Sequence, residues 1–375
     1  MGKINFLAKK MKILIDRNIP YVEHFFHDHL EKIEYFSDQN FDIEKVKEDS
    51  IVVVRSTYKT HGKNIPKSVK FICSASTGED HIDKNALDKM NIPYAFSTGA
   101  NAIAVREYVL SCIALMLQEN KLNKNDPALI IGCGNIGEGI FKVLQYFGFD
   151  VSTYDPYKPC TNSNESIEGY SLISLHVPLT KSSESEHFTE NLFCAAKFEM
   201  CKEGAIVVNT SRGGVVSEKD FLEFNRDKDY IHLISDVYEN EPSINKDFFE
   251  KNLFGTPHIA GHSQYARYQM TKMAYENIAD FLGVTIYEKN NTLKNKIISF
   301  DKNTFDRDIQ EFGLPISLML DTYNPKLDHF DCSDFKKIRD NYNNRIGYSQ
   351  VSIQNCDCKS DLRALKMLGF KVEEN

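Results

Sequence analysis

Four residues in the second half of the chain have side chains suited to proton and anion chemistry. They are Arg212 in "NTSRGG", Glu241 in "DVYENEP", and His258 and His262 in "TPHIAGHS". A guanidinium grips a planar carboxylate with two parallel hydrogen bonds and polarises the neighbouring carbonyl oxygen. A histidine takes a hydroxyl proton near neutral pH and returns it in the reverse direction. A carboxylate on the other ring nitrogen fixes the tautomer and stabilises the imidazolium. Arg212, His258 and Glu241 can fill these roles, and together they suit hydride transfer from a 2-hydroxy acid. Taken singly, each has a plainer reading: an exposed cation, a helix N-terminal acid before "PSINKDFFEK", a hydrogen-bonded loop histidine. Their joint position downstream of a dinucleotide motif favours the chemical reading. Two histidines four apart could also hold a metal on a helix. Pro257 and Gly261 argue for a loop instead, no third ligand is evident, and no metal is expected.

These residues follow strand-like runs. "IVVNTSRGG" delivers Arg212, and "LISDVYENEP" delivers Asp236 and then Glu239 and Glu241. In open α/β sheets ligands bind beyond the C-terminal strand ends, where these residues fall. Upstream, Gly132-Cys133-Gly134-Asn135-Ile136-Gly137 forms a GxGxxG directly after the strand "ALII" and opens a helix. The first glycine permits the tight turn, the second lets backbone approach a pyrophosphate, and the third lets helix pack on strand. The pyrophosphate then meets unpaired N–H groups at the positive helix end. The strand "DVSTYD" ends in Asp155, roughly 20 residues on, where an acid should bind the adenosine ribose hydroxyls. Asp155 would repel a 2′-phosphate, so NAD is expected rather than NADP, with Lys158 the nearby residue that could argue otherwise.

Strand and helix signals alternate along most of the chain, which predicts a parallel α/β architecture. "MKILID", "IVVVRS", "VKFICSAS" and "IPYAFS" read as strands, and "IPYVEHFFHDHL" has helical spacing. A long helix is expected from Ala102 to Asn120. "KLNKNDP" breaks the pattern, with Pro127 at the first position of the nucleotide-binding strand, where proline is tolerated. Tyr287–Lys296 reads as a linker. The remaining tail holds an apolar helix, "PISLMLDTY", a basic helix, "SDFKKIRDNYNNR", a strand, "SQVSIQN", and a helix–glycine–strand, "DLRALKMLGFKV".

With 375 residues, 42% of them hydrophobic, the chain can bury two or three cores. A net charge of −8 argues against nucleic-acid partners, which want a basic face. Nine scattered cysteines without CxxC spacing read as thiols, including Cys356 and Cys358 in "NCDCK". No apolar run is long enough for a membrane span, the basic N-terminus is no secretory signal, and Met11 is an alternative start. A cytoplasmic protein is expected.

The pieces "GCGNIG", "NTSRGG", "DVYENEP" and "PHIAG", in that order, resemble the D-isomer-specific 2-hydroxy acid dehydrogenases. "MKILIDRNIPY", "VVRSTYK", "FICSASTGEDHID" and "GANAIAVREYV" extend the resemblance through the N-terminal domain. The resemblance implies two Rossmann-like parallel-sheet domains and a small α+β dimerisation domain. These are a substrate-binding domain (1–105 and 262–287), an NAD-binding domain (106–261) and the C-terminal domain (288–375), in a homodimer. It implies that the first two lobes close on each other. By resemblance, Arg212, Glu241 and His258 are catalytic, with His258 the acid/base. Gly132, Gly134, Asn135, Ile136, Gly137, Asp155, Val177, Thr210, Ser211, Asp236 and Gly261 should bind NAD. Ser56, Ser76 and His262 should contact substrate.

The sequence departs from the family at three of these positions. Ser76 stands for Thr and keeps the hydroxyl. Val177 stands for Thr and loses a side-chain hydrogen bond. His262 stands for a substrate-contacting Tyr, with different reach and charge. The loop after Asp155 looks shortened.

The tail, "FKKIRDNYNNR" then "LGFKV", is similar to that of members acting on a 4-phosphorylated 2-hydroxy acid. Such a phosphate needs cations. Arg55 beside Ser56 is the main candidate and Lys59 a weaker one. Arg339 and Arg345 either reach a partner subunit's site or form a solvated helix face, the second reading being favoured. Two alternatives stay open: a dehydrogenase acting on another acid such as 3-phosphoglycerate, and an NAD-sensing corepressor on the same fold.

Overall fold

The central strands are continuous runs of β-branched and aliphatic residues, as strands covered on both faces must be. In the computed structural model, which describes residues 11–27, 32–158, 166–286, 293, 295–342 and 345–373, these runs form three sheets with every named pairing parallel. The chain divides into two compact units, Met1–Asn101 with Tyr265–Leu293, and Ala102–Gln264 with Lys294–Asn375.

The first unit holds β1 (Lys12–Asp16), β2 (Ile33–Phe36), β3 (Ser50–Val54), β4 (Val69–Ser74) and β5 (Tyr94–Phe96), in the order β2-β1-β3-β4-β5. The order reverses between β1 and β3, which end at Asp16 and run into Arg55. That is a topological switch point, the usual ligand position in such sheets. Helix Gln264–Leu282 covers one face, burying Tyr268, Ala274, Tyr275 and Ile278 against Ile13, Ile15, Phe25 and Phe71. Two local expectations differ. The predicted helix over "IPYVEHFFHDHL" is helical at Val22–Phe25, and residues 28–31 lie outside the described part. Strand β2 was not expected, because at the sheet edge Glu34 and Tyr35 are exposed and its apolar signal is weak.

The second unit holds β6 (Ala128–Ile131), β7 (Val151–Tyr154), β8 (Leu172–Leu175), β9 (Ile206–Asn209), β10 (His232–Ser235) and β11 (Phe254–Gly255), ordered β11-β10-β9-β8-β6-β7. Its switch point lies between β6 and β8. Helix Ala102–Gln118 is buried at every position from Glu107 to Leu117. A helix apolar on all sides needs cover on all sides. The C-terminal segment supplies part of it: Leu314, Ile316, Met319, Tyr323 and Tyr348 belong to the same core.

That segment also has its own sheet, β12 (Lys296–Ser299), β13 (Val351–Gln354) and β14 (Lys371–Val372), ordered β12-β13-β14. It therefore carries a distinct sheet but shares the second unit's core. Helix Lys302–Phe312, capped by the Asp301 side chain on the amides of Asn303 and Thr304, was not read from the sequence. The N-terminal residues 1–10, most of the expected linker (287–292 and 294) and the centre of the loop after Asp155 (159–165) lie outside the described residues. Among the described residues the cysteines, Cys356 and Cys358 included, are free thiols. No described helix is long and apolar enough to cross a membrane.

Candidate active site

The glycine-rich turn joins β6 to helix Gly137–Tyr146. Gly132 has φ 92°, and a Cβ there would run into the carbonyl of His176. At Gly137 a Cβ would strike the carbonyl of Gly132, so helix and turn pack backbone to backbone. Gly134 differs: a Cβ there would meet nothing within 4 Å, which leaves its backbone open to a ligand. Asp155, just past β7, accepts from the amide of Cys133 at 2.8 Å and from that of Tyr157 at 2.9 Å. Lys158 donates to the Cys133 carbonyl at 2.8 Å, so its amine lies against the same turn. A tight first glycine, an open second glycine and an acid at the next strand end fit NAD. Val177 packs against this turn, its Cγ1 3.0 Å from where a Gly132 Cβ would be. Its neighbour His176 is 2.8 Å from the Ser174 hydroxyl, and burial pushes its pKa down to about 3, so the ring stays neutral.

Arg212 follows β9 on a turn built by Asn209. The Asn209 Oδ1 accepts from the Ser211 amide at 3.1 Å and hydroxyl at 2.7 Å, and its Nδ2 donates to the Arg212 carbonyl at 3.2 Å. An Asn that folds its side chain back on the next residues is a turn former, and this signal was present in the sequence but missed. A Cβ on Gly213 would collide with the carbonyl of Tyr238, so the Arg212 turn lies directly on the backbone of the loop carrying Glu241. Thr210 and Ser211 are buried, and the Arg212 side chain is half-buried, with Nη1 donating to the Ser211 carbonyl at 2.8 Å.

Asp236, immediately after β10, organises the histidine loop. Its Oδ1 accepts from the Thr256 hydroxyl at 2.7 Å and the Ile259 amide at 2.7 Å, and its Oδ2 from the Ala260 amide at 2.9 Å. Burial pushes its pKa up to about 6, against the opposing pull of His258, the Thr256 hydroxyl and the two amides. Held by these bonds, His258 adopts a left-handed backbone, φ 56°, which is uncommon for a residue other than glycine. Its Nδ1 lies 2.7 Å from Glu241 Oε2. The carboxylate can only accept, so Nδ1 carries the proton and Nε2 presents the free lone pair. Burial alone would raise the Glu241 pKa, but the His258 charge and hydrogen bond, Arg339 and the Tyr238 amide together lower it. His262 follows, its amide donating to the Ile259 carbonyl at 2.7 Å beside the buried Gly261.

Two arginines of the C-terminal segment correct the sequence reading, which favoured a solvated helix face for both. Arg345 is only 4% exposed and lies beyond the helix, which spans Phe335–Asn341. It donates to the carbonyls of Ala260 at 2.8 Å and Ala104 at 2.6 Å, and its guanidinium lies 4.1 Å from the Tyr323 ring centre. Glu107, 1% exposed, adds an attractive charge. Arg339 Nη1 lies 3.8 Å from Glu241 Oε2 of the same chain.

In the first unit, Arg55 is not an unopposed cation. Its Nε donates to the fully buried Asp16 at 2.6 Å and its Nη2 to Asp38 at 3.3 Å. Asp38 also accepts from the Thr57 hydroxyl, and burial pushes its pKa up to about 6. Arg267 on helix Gln264–Leu282 is a second cation near this place; burial and the Arg55 charge lower its pKa, and it was not singled out from the sequence. Ser56 and Lys59 are exposed. The nearly buried Ser76 hydroxyl lies 2.7 Å from that of Ser74, itself 2.8 Å from His81 Nε2.

Comparisons with known proteins place the chain in a family. The family model described as the D-isomer specific 2-hydroxyacid dehydrogenase NAD binding domain matches residues 116–260. The chain is 34% identical over 285 residues to the erythronate-4-phosphate dehydrogenase of Shewanella baltica (strain OS223), covering 73% of this chain and 75% of that one. To the enzyme of the same name from Shewanella halifaxensis it is 29% identical over 381 residues, covering 97% and 100%. Among solved structures, the NAD+-bound 3-phosphoglycerate dehydrogenase of Entamoeba histolytica matches with a TM-score of 0.59 at 23% identity, covering 76% of this chain and 100% of that one, a likeness of fold.

Proposed function

Since the chain belongs to the erythronate-4-phosphate dehydrogenases of the NAD-dependent D-isomer-specific 2-hydroxyacid dehydrogenase family, we propose that it oxidises 4-phospho-D-erythronate to 2-oxo-3-hydroxy-4-phosphobutanoate, a step of pyridoxal 5′-phosphate biosynthesis. The observation that carries the assignment of roles is the 2.7 Å contact between His258 Nδ1 and Glu241 Oε2, at the strand ends beyond a dinucleotide turn. Bound NAD supplies the hydride acceptor for the hydrogen on C2. His258 Nε2 takes the proton of the C2 hydroxyl. Glu241 holds the ring in that tautomer and stabilises the imidazolium that forms. Arg212 grips the substrate carboxylate and polarises the oxygen on C2. Gly132, Gly134, Asn135, Ile136 and Gly137 would cradle the pyrophosphate, and Asp155 would meet the ribose. Thr210, Ser211, Val177 and Gly261 would line the rest. Asp236, which holds the amides of Ile259 and Ala260, would shape the loop that meets NAD.

Ser56, Ser76 and His262 are proposed to contact substrate. Arg55 is proposed to meet the phosphate in exchange for its bond to Asp38. Arg55→Ala should then weaken binding of the phosphorylated acid and leave the unphosphorylated acid unaffected; equal loss for both would reduce Arg55 to a partner of Asp16 and Asp38. Asp155→Asn removes the charge that repels a 2′-phosphate, so the preference for NAD over NADP should fall by about tenfold, read from the ratio of the two kcat/KM values. An unchanged ratio would argue that Asp155 is not near the ribose. The protein is proposed to work as a cytoplasmic homodimer assembled through its C-terminal segment. NADH absorbance on mixing protein, NAD and single acids tests the substrate. Faster turnover of 4-phospho-D-erythronate than of 3-phosphoglycerate supports the proposal, the reverse favours the other dehydrogenase, and NAD binding without turnover of any acid favours a sensor.

A further inference from the structure

The loop around Glu241 concentrates negative charge. Glu218, at the start of helix Glu218–Phe224, accepts from the Glu239 amide at 2.7 Å, while Glu239 accepts from the Glu218 amide at 3.2 Å. Burial, together with the charges of Glu239 and Glu241, pushes the Glu218 pKa up to about 7. Asp236, just past β10, is close enough to His258 for their charges to interact. Tyr238 stays protonated, since burial holds its pKa well above the usual range. Among the described residues, the ionisable groups around the His258–Glu241 pair include three carboxyls, Glu218, Glu239 and Asp236, the Tyr238 phenol, Arg212 on the turn against this loop, and Arg339, the cation whose charge acts on Glu241.

In the direction of alcohol oxidation His258 begins neutral. At that point Glu241 is a partly buried carboxylate, 17% exposed, with a neutral histidine beside it. A buried charge needs a partner or it neutralises itself. Arg339 stands 3.8 Å from Oε2, the same oxygen that accepts from His258, and is itself 24% exposed at the side chain. It comes from the C-terminal helix Phe335–Asn341, remote in sequence from either partner. We propose that Arg339 is a positioning residue for the proton transfer: it keeps Glu241 ionised and aimed at Nδ1 through the half of the cycle in which His258 is neutral.

The sign of the effect follows. Without Arg339 the potential at His258 becomes more negative and the imidazolium holds its proton more tightly. Oxidation needs neutral His258, so the acid limb of the kcat/KM profile must move to higher pH. Arg339→Gln should shift that limb by about one unit, with NAD affinity unchanged. Arg339→Lys, which restores the charge, should return the limb most of the way. An unmoved limb with a KM raised only for the phosphorylated acid would overturn the proposal and make Arg339 a phosphate ligand. An unmoved limb with a general loss of turnover would leave only a structural role. The proposal rests on His258 as the base, and His258→Gln separates the two failures: substantial turnover with the limb retained there would sink that reading and the role of Arg339 with it.

Discussion

Replacing His258 with alanine is expected to lower kcat for acid oxidation by about a thousandfold while leaving NAD binding within a few-fold of the wild type. The side chain is 28% exposed and bonded to Glu241 through Nδ1, which leaves Nε2 as its working nitrogen. Its removal deletes the proposed proton acceptor but leaves intact the bonds that shape the loop, because Asp236 makes those to Thr256, Ile259 and Ala260. NAD affinity measured by fluorescence or calorimetry, beside kcat from NADH formation, separates the two effects. His262→Ala should mainly raise KM. If its loss of kcat matched that of His258→Ala, the two histidines would have been assigned the wrong way round.

The largest effect on stability should come from Arg345. Arg345→Met keeps much of the side-chain volume but removes the donors to Ala104 and Ala260 and takes from buried Glu107 the stronger of its two cationic neighbours, leaving Arg106. Breaking one side of such a buried polar set costs about 3–5 kcal/mol. A urea titration should show that loss, and kcat should fall as well, since Ala260 belongs to the loop of His258. A change below about 1 kcal/mol would mean that surrounding structure relaxes to satisfy these carbonyls without the guanidinium.

The sites written in short sequence windows were legible. Gly132 to Gly137 reads directly as a phosphate turn because Gly132 and Gly137 answer local backbone demands and Gly134 leaves open space beside the backbone. Arg212, Glu241 and His258 stand out because they follow strands whose apolar runs are unmistakable.

What escaped depends on contacts distant in sequence. Arg345 looked like one more residue of a basic helix, and nothing near it in sequence reveals that its partners are Ala104, Ala260 and Tyr323. Arg339 carries the same ambiguity until Glu241 is placed beside it. Arg55 read as a phosphate cation without partners because Asp16 and Asp38 approach it only once β2, β1 and β3 pair side by side. Strands β2 and β12 escaped for another reason: both are edge strands with exposed positions, so the apolar signal that marks a central strand is weak in them.

In the proposed reaction hydride passes from C2 of 4-phospho-D-erythronate to NAD while His258 takes the hydroxyl proton. Incubating the protein with NAD and the substrate deuterated at C2 tests it most directly. The NADH formed should carry the deuterium, with the 2-oxo acid appearing in equal amount. Unlabelled NADH, or binding of NAD with no NADH formed, would contradict it.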